Sequence, residues 1–385
     1  MRRNASHTGH DQDAQSIEPQ PLQRRREAAV AAVTYLTQAL LAALFTVLLI
    51  LWLRRPAERF GLVDHPGGRK RHADIVPLTG GLAITVGFFA ALSLSFGALA
   101  EYRVLFVAIA LLMAIGLLDD LGEVSPRSKL GVQVIAAVLM TSWGNHFLTG
   151  LGDLFGRGPI DLANWAIPLT VFATVAVING INMLDGMDGL AGGLVAIMLG
   201  FFALFASWQG DANALKIVLV LLGAVAGFLL FNAPHPWRGR RRVFMGDTGS
   251  LVLGFVVTWF TIDLTQSDLP GAVPPVVMLW VVGLVLFDLF TVTVRRLLQR
   301  RDPVAPDRAH VHHVLQRCGL TVVQTWALLL AVNALLGAAG AIGWKAGVPE
   351  PALFAGFLLL GFVYFGVFFR PGRLLRWQRS RERRA

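Results

Sequence analysis

The chain has one cysteine and three tyrosines, and charged side chains make up only 15% of its 385 residues. A lone Cys318 excludes an intrachain disulfide and any cysteine-built metal cluster, so a reduced structural thiol is its expected role. So little charge excludes an ordinary soluble surface, because about a quarter of the residues of a soluble domain are charged. A short cleavable leader is not expected either: the first apolar run begins near Ala28 and is long enough to remain as a span. There is no obvious internal repeat. What is present is apolar, with 55% hydrophobic residues and a mean hydropathy of +0.60.

Crossing about 30 Å of hydrocarbon takes roughly 20 apolar residues as a helix. Eleven runs approach that length, centred on 28–53, 78–100, 104–118, 130–143, 165–181, 190–208, 214–231, 250–264, 272–294, 322–343 and 351–369. None alternates as a barrel strand does, and open backbone cannot face lipid. The expected class is therefore all-α, a polytopic integral membrane protein with about 11 transmembrane helices. Residues 1–27 read as a polar, disordered tail, 28–369 as the multispan domain and 370–385 as a basic cytoplasmic tail.

Of the 34 lysines and arginines, 25 fall in one set of alternate loops and the C-terminal tail. Basic loops stay cytoplasmic, which predicts an inside C-terminus and, with eleven spans, an outside N-terminus. Arg24, Arg25 and Arg26 argue locally for the reverse, but the summed bias outweighs them. The net charge of +10 then faces anionic headgroups of the bilayer, and a nucleic-acid partner is not needed to explain it.

The unusual polar residues collect in that same basic set of loops. The first carries Asp64, Arg69, Lys70, Arg71 and His72; by themselves these read as a basic juxtamembrane loop. The second opens with Asp119 and Asp120 straight after an apolar run, with Lys129 close by. Adjacent carboxylates repel, so this pair reads as a metal site, a general base or a solvated helix end.

Between two long apolar stretches, INGINMLDGMDGLAG spaces Asn179, Asn182, Asp185 and Asp188 three residues apart. A helix turns about 300° in three residues, so 179 and 188 cannot share a face, and Gly186 and Gly189 permit a break that lets both halves address one pocket. Downstream, Arg238 and Arg240 to Arg242 precede RVFMGDTGS, where Asp247 sits in a glycine turn entering a helix and could ligate Mg²⁺. The last large loop packs Asp307, Arg308, His310, His312 and His313 into seven residues. Oxygen-rich loops suit Mg²⁺ or Mn²⁺ better than zinc, and Arg308 and His310 read as anion binders. Asp288, inside an apolar run, either pairs with a nearby arginine or meets lipid phosphate through a metal. Acidic groups for a metal, basic groups for phosphates and a membrane-edge site fit transfer from a soluble diphosphate donor to a lipid acceptor.

In their order, LLDDLGEVS, INGINMLDGMDGL, RVFMGDTGS and PDRAHVHH resemble the polyprenyl-phosphate N-acetylhexosamine-1-phosphate transferases, over about residues 54–320. GRKRHADIVPLTGG and DRAHVHH look most like the bacterial undecaprenyl-phosphate GlcNAc-1-phosphate transferases that begin O-antigen and related polysaccharide synthesis. The resemblance implies a bacterial inner-membrane enzyme with its active site at the cytoplasmic face, UDP-GlcNAc as donor, undecaprenyl phosphate as acceptor, and Mg²⁺ or Mn²⁺ as cofactor. By position it implies that Asp247 and Asn182 hold metal, that Asp119 deprotonates the lipid phosphate with Asp120 in support, and that Asp185 and Asp188 shape the nucleotide pocket. Lys129, Arg308, His310, His312 and His313 would hold donor phosphates or sugar, and Phe244 would stack near uracil. A transferase of phospho-MurNAc-pentapeptide and, from another class, a lipid-linked sugar transporter are the competing readings; a homo-oligomer is left open.

Overall fold

An apolar run inside a bilayer satisfies its own backbone only by coiling, and each of the eleven runs meets a helix. The computed structural model describes residues 21–64, 75–94, 100–122, 124–235, 241–269, 271–300, 310–370 and 372, with side chains from residue 30 onward. In order the helices are α1 (Pro21–Phe60), α2 (Gly80–Ser93), α3 (Arg103–Leu121), α4 (Pro126–Val138), α5 (Ala166–Leu184), α6 (Leu190–Gln209), α7 (Ala212–Asn232), α8 (Gly246–Asp263), α9 (Pro275–Val281), α10 (Gly283–Leu298), α11 (Val311–Arg317), α12 (Val322–Lys345) and α13 (Glu350–Phe368). Strands are limited, among the described residues, to the two-residue antiparallel pair Val63–Asp64 and Val76–Pro77. The chain is an all-α, multi-pass membrane protein.

Seven helices are long and apolar enough to cross a membrane alone, and a bent pair makes eight. The expected count of about eleven is thus met only in part. Run 78–100 yields a helix of 14 residues, run 130–143 falls on α4 and the single π turn Leu139–Trp143 that continues it, and run 250–264 falls on α8, which is not among the eight. Run 272–294 divides into α9 and α10, bent by 76° at Val282 and Gly283. A glycine at the break supplies the backbone freedom that a sharp kink needs. α1 starts ahead of its expected limit, at Pro21, a residue suited to a helix's first turn.

Packing is organised around α8. Its residues are buried almost without interruption from Thr248 to Ile262, as expected of a helix apolar on every side. Glycines let its neighbours come close. A Cβ on Gly81 of α2 would collide with the backbone of Gly249, one on Gly116 of α3 would lie 2.5 Å from Thr248 Cα, and one on Gly254 would lie 2.6 Å from Ile178 Cα of α5. The ends of α3 and α5 that carry the acidic motifs are thereby brought to the start of α8.

The same device joins α1 to α7, where Gly223 and Gly227 face the carbonyls of Ala39 and Ala43. Gly223→Val should therefore lower the thermal unfolding midpoint of purified protein in detergent, at about 1–3 kcal/mol for overpacking. Gly200→Val, on α6 where a Cβ would meet nothing within 4 Å, is the control. Equal midpoints for the two variants would remove the role assigned to this contact.

Candidate functional site

The first turn of any helix leaves backbone N–H groups without intrahelical acceptors. For α8 the acceptor comes from another helix: Asp120, at the end of α3, takes Asp247 N at 2.8 Å on one oxygen, and Thr248 N at 3.1 Å and Thr248 Oγ1 at 2.6 Å on the other. Gly246 has φ +70° and its missing Cβ would run into the Asp120 carboxylate, so the turn requires glycine on both counts. Asp120 is a cap supplied across helices, with its lone pairs committed to α8.

Its neighbour Asp119 points elsewhere. One oxygen accepts from Val124 N at 3.0 Å, which closes the turn into α4, and the other accepts from Lys129 Nζ at 3.0 Å. The same ammonium donates to Asp247 at 2.8 Å. Lys129 therefore bridges the carboxylates of α3 and α8, and the mutual repulsion expected of clustered acids is offset by a cation. On the far side of Asp247, Asn182 Nδ2 donates to Asp247 at 3.0 Å and to Ser250 Oγ at 2.8 Å. Asp119, Asp120, Lys129, Asn182 and Asp247, drawn from four helices, meet at one end of the bundle.

The Asn/Asp series divides as helical geometry requires. Asn179 faces α4 and donates to Gln133 at 2.6 Å, so it serves helix packing. α5 stops at Leu184, Gly189 with φ +72° opens α6, and the break falls between the two halves of the motif. Asp188 pairs with Arg242, whose guanidinium lies 4.6 Å from the centre of the Phe244 ring. Asp185 accepts no hydrogen bond from the described residues. Burial, then the like charges of Asp247, Asp120 and Asp188, push its carboxyl well above the ordinary range.

Three supports were not foreseen. Asn232, the last residue of α7, accepts from Gly189 N at 2.7 Å and donates to Val243 O at 2.8 Å, which staples the break to the approach segment of α8. That segment is fixed from below as well, since Phe244 N donates to Pro77 O at 2.9 Å, and Gly80 N and Gly81 N donate to Phe244 O and Met245 O at the same length. Ser250 and Gln133 hold the two asparagines. A polar residue closing an otherwise apolar run was the only available signal for Asn232.

From the last loop, His310 and His312 are both buried. His312 packs on Gly186, where a Cβ would lie 2.8 Å from its Nε2, and neither ring nitrogen finds a hydrogen-bond partner among the described residues. His313 lies against His312 with ring centres 4.1 Å apart. Asp288 meets His310, the Val311 amide and the Tyr364 hydroxyl, so the expectation of an arginine or a metal-bound phosphate as its partner is corrected. Asp307, Arg308, Arg238, Arg240, and Arg69 to His72 lie outside the described residues, as do the chain's ends.

No three His, Cys, Asp or Glu side chains among the described residues form a metal cage by themselves. The donor chemistry nonetheless fits Mg²⁺, which is held typically by one or two carboxylates and completed by substrate phosphates and water. Asp185, without a hydrogen-bond partner among the described residues and amid three other carboxylates, is where a cation relieves the most repulsion.

Burial, followed by His313, pulls His312 down to about 3. A histidine held neutral in the fold and titrating near 6.5 when unfolded adds stability that is complete above pH 6.5 and lost as pH falls towards 3. The unfolding midpoint of the purified protein should fall as pH drops below 6.5, and His312→Asn should flatten that slope; an unchanged slope would count against this account.

Comparison with known proteins adds the following. Residues 102–265 match the model of glycosyl transferase family 4. The undecaprenyl-phosphate alpha-N-acetylglucosaminyl 1-phosphate transferase of Escherichia coli (strain K12) is 32% identical over 358 residues, covering 91% of this chain and 96% of that protein. The protein of the same description from Haemophilus influenzae is 35% identical over 338 residues, covering 88% and 95%. That from Yersinia pestis is 31% identical over 353 residues, covering 91% and 96%.

Proposed function

The chain belongs to the undecaprenyl-phosphate N-acetylglucosaminyl 1-phosphate transferase family, and from that membership we propose that it transfers GlcNAc-1-phosphate from UDP-GlcNAc to undecaprenyl phosphate. The products are undecaprenyl-diphospho-GlcNAc and UMP, and the product initiates a cell-surface polysaccharide such as O-antigen. The observation that carries this reading is the convergence of Asp119, Lys129, Asn182 and Asp247 at the end of a bundle whose helices otherwise present apolar residues.

In the reaction an oxygen of the lipid phosphate attacks the donor phosphorus that bears GlcNAc, the bond from that phosphorus to the bridging oxygen breaks, and UMP leaves with that oxygen. Asp119 takes a proton from the lipid phosphate, and transfer needs no covalent enzyme intermediate because that phosphate is already an anionic nucleophile. Lys129 uses two N–H bonds on Asp119 and Asp247 and keeps a third for a phosphate oxygen. Mg²⁺, with Mn²⁺ as substitute, would be held by Asp247, Asn182 and Asp185 together with donor phosphates, and would supply charge neutralisation at the diphosphate. Asp120 keeps Asp247 in place through the α8 backbone. His310, His312, His313 and Arg308 serve the donor's phosphates or sugar, and Phe244, steadied by Arg242 and Asp188, stacks near uracil.

The basic bias of one set of loops supports a cytoplasmic active site and C-terminus in a bacterial inner membrane. All the described site residues lie on or beside that set of loops.

The test is transfer of radiolabel from UDP-GlcNAc to undecaprenyl phosphate by the purified protein, with and without Mg²⁺, beside UDP-GalNAc and UDP-MurNAc-pentapeptide. Metal-dependent labelling of lipid from UDP-GlcNAc with release of UMP is expected, and folded protein inactive with every donor would refute the reading. Asp247→Ala should abolish turnover. Asp119→Asn should slow transfer by about 100-fold or more, the usual scale for removing a general base, with the unfolding midpoint retained. Full activity in either folded variant removes that residue from the chemistry.

A further inference from the structure

Asp288 lies on α10 beyond the 76° bend and is only 2% exposed. Its carboxylate gathers donors from two other elements. One oxygen meets His310 Nδ1 at 2.7 Å; the other accepts from Val311 N at 3.0 Å, at the start of α11, and from the Tyr364 hydroxyl of α13 at 2.9 Å. A carboxylate surrounded by donors acts only as an acceptor, so the shared proton belongs on Nδ1 of the histidine. The two ring nitrogens point away from one another, which leaves Nε2 on the edge turned away from Asp288. No described residue takes a hydrogen bond from it or gives one to it.

The position of His310 gives this pairing a consequence. The ring lies almost parallel to that of His312, with centres 6.0 Å apart and planes inclined by 11°, and His312 in turn packs on Gly186 beside Asp185. His310 thus reaches the site's border, and among the described residues the side chain that anchors its ring by a hydrogen bond is Asp288. Without the carboxylate the imidazole could protonate on either nitrogen and turn about its bond to Cβ. A neutral apolar side chain at 288 would fill the space equally well, but it would orient nothing.

We propose that Asp288 is a positioning residue that holds His310 as the Nδ1–H tautomer and presents its Nε2 to the sugar-nucleotide donor. Asp288 does not touch substrate; it acts through His310. This rests on the reading of His310 as a donor-binding group, and the experiment separates the two.

Full-length protein labelled with ¹⁵N-histidine is prepared as wild type, Asp288→Asn, Tyr364→Phe and His310→Asn, the last identifying the His310 resonances. Donor and acceptor kinetics are measured on the same samples and on the Asp288→Asn/His310→Asn double variant. His310 of the wild type should be protonated on Nδ1. Asp288→Asn should lose that single tautomer and lower kcat/KM for the donor about 10–100-fold, the range found when the carboxylate behind a working histidine is removed, with KM for the lipid unchanged. Tyr364→Phe, which keeps the carboxylate, should keep the tautomer. The double variant should be no worse than His310→Asn alone.

An Nε2–H tautomer in the wild type overturns the proposal, as does unchanged donor kinetics in a folded Asp288→Asn or a further loss in the double variant. Should Asp288→Asn fail to fold, the wild-type spectrum and Tyr364→Phe still decide. Wild-type protein that shows the Nδ1–H tautomer yet transfers from no sugar nucleotide would refute the donor half of the proposal together with the functional reading, leaving the Asp288–His310 pairing as structure alone.

Discussion

A helix that begins inside a membrane protein must find acceptors for its first N–H groups, and α8 finds them on Asp120. The site depends on that solution. Because Asp247 is the first residue of α8 after its glycine, the contact that satisfies the helix end also fixes the backbone from which Asp247 projects. Asp119, next in the chain, is then carried to the opposite side of the same opening, where Lys129 spans the gap. One carboxylate caps the helix and its neighbour faces Lys129, a division set by which of the two meets the helix end.

The contact is possible because backbones approach more closely than side chains usually allow. Gly116 brings α3 to Thr248, Gly81 and Gly249 bring α2 to α8, and Gly254 admits α5. In a lipid surround the hydrophobic effect gives little drive for helix association, so close packing and buried hydrogen bonds carry more of it. The polar groups of the site are both the product of this packing and part of what holds it.

Much of this was legible in the sequence. Apolar runs of membrane length set the all-α class, and three-residue spacing with Gly186 and Gly189 marked the α5–α6 break and the separation of Asn179 from Asp188. What was not legible concerns partners. Asp120 is bound to backbone N–H groups 127 residues away, and amides have no signature in a sequence. Asp288 read as a partner of an arginine or, through a metal, of lipid phosphate; its partners are a histidine, an amide and a tyrosine from α13 and the start of α11. Span counting failed where burial replaced length: α2 is short and mostly covered by protein, α8 is covered on nearly every side, and a rule based on hydrocarbon thickness does not describe such helices.

The glycine contacts around α8 also bear on how damaging substitutions in this chain are to be interpreted. A side chain introduced at Gly81, Gly116 or Gly249 collides with a neighbouring backbone or side chain and pushes apart the helices whose ends carry the candidate site residues. A loss of function at these positions would arise from the spacing of the helices and not from a missing functional group. Position relative to the α8 axis, rather than distance from the chemistry, then separates residues that react from residues that only permit the reacting groups to meet.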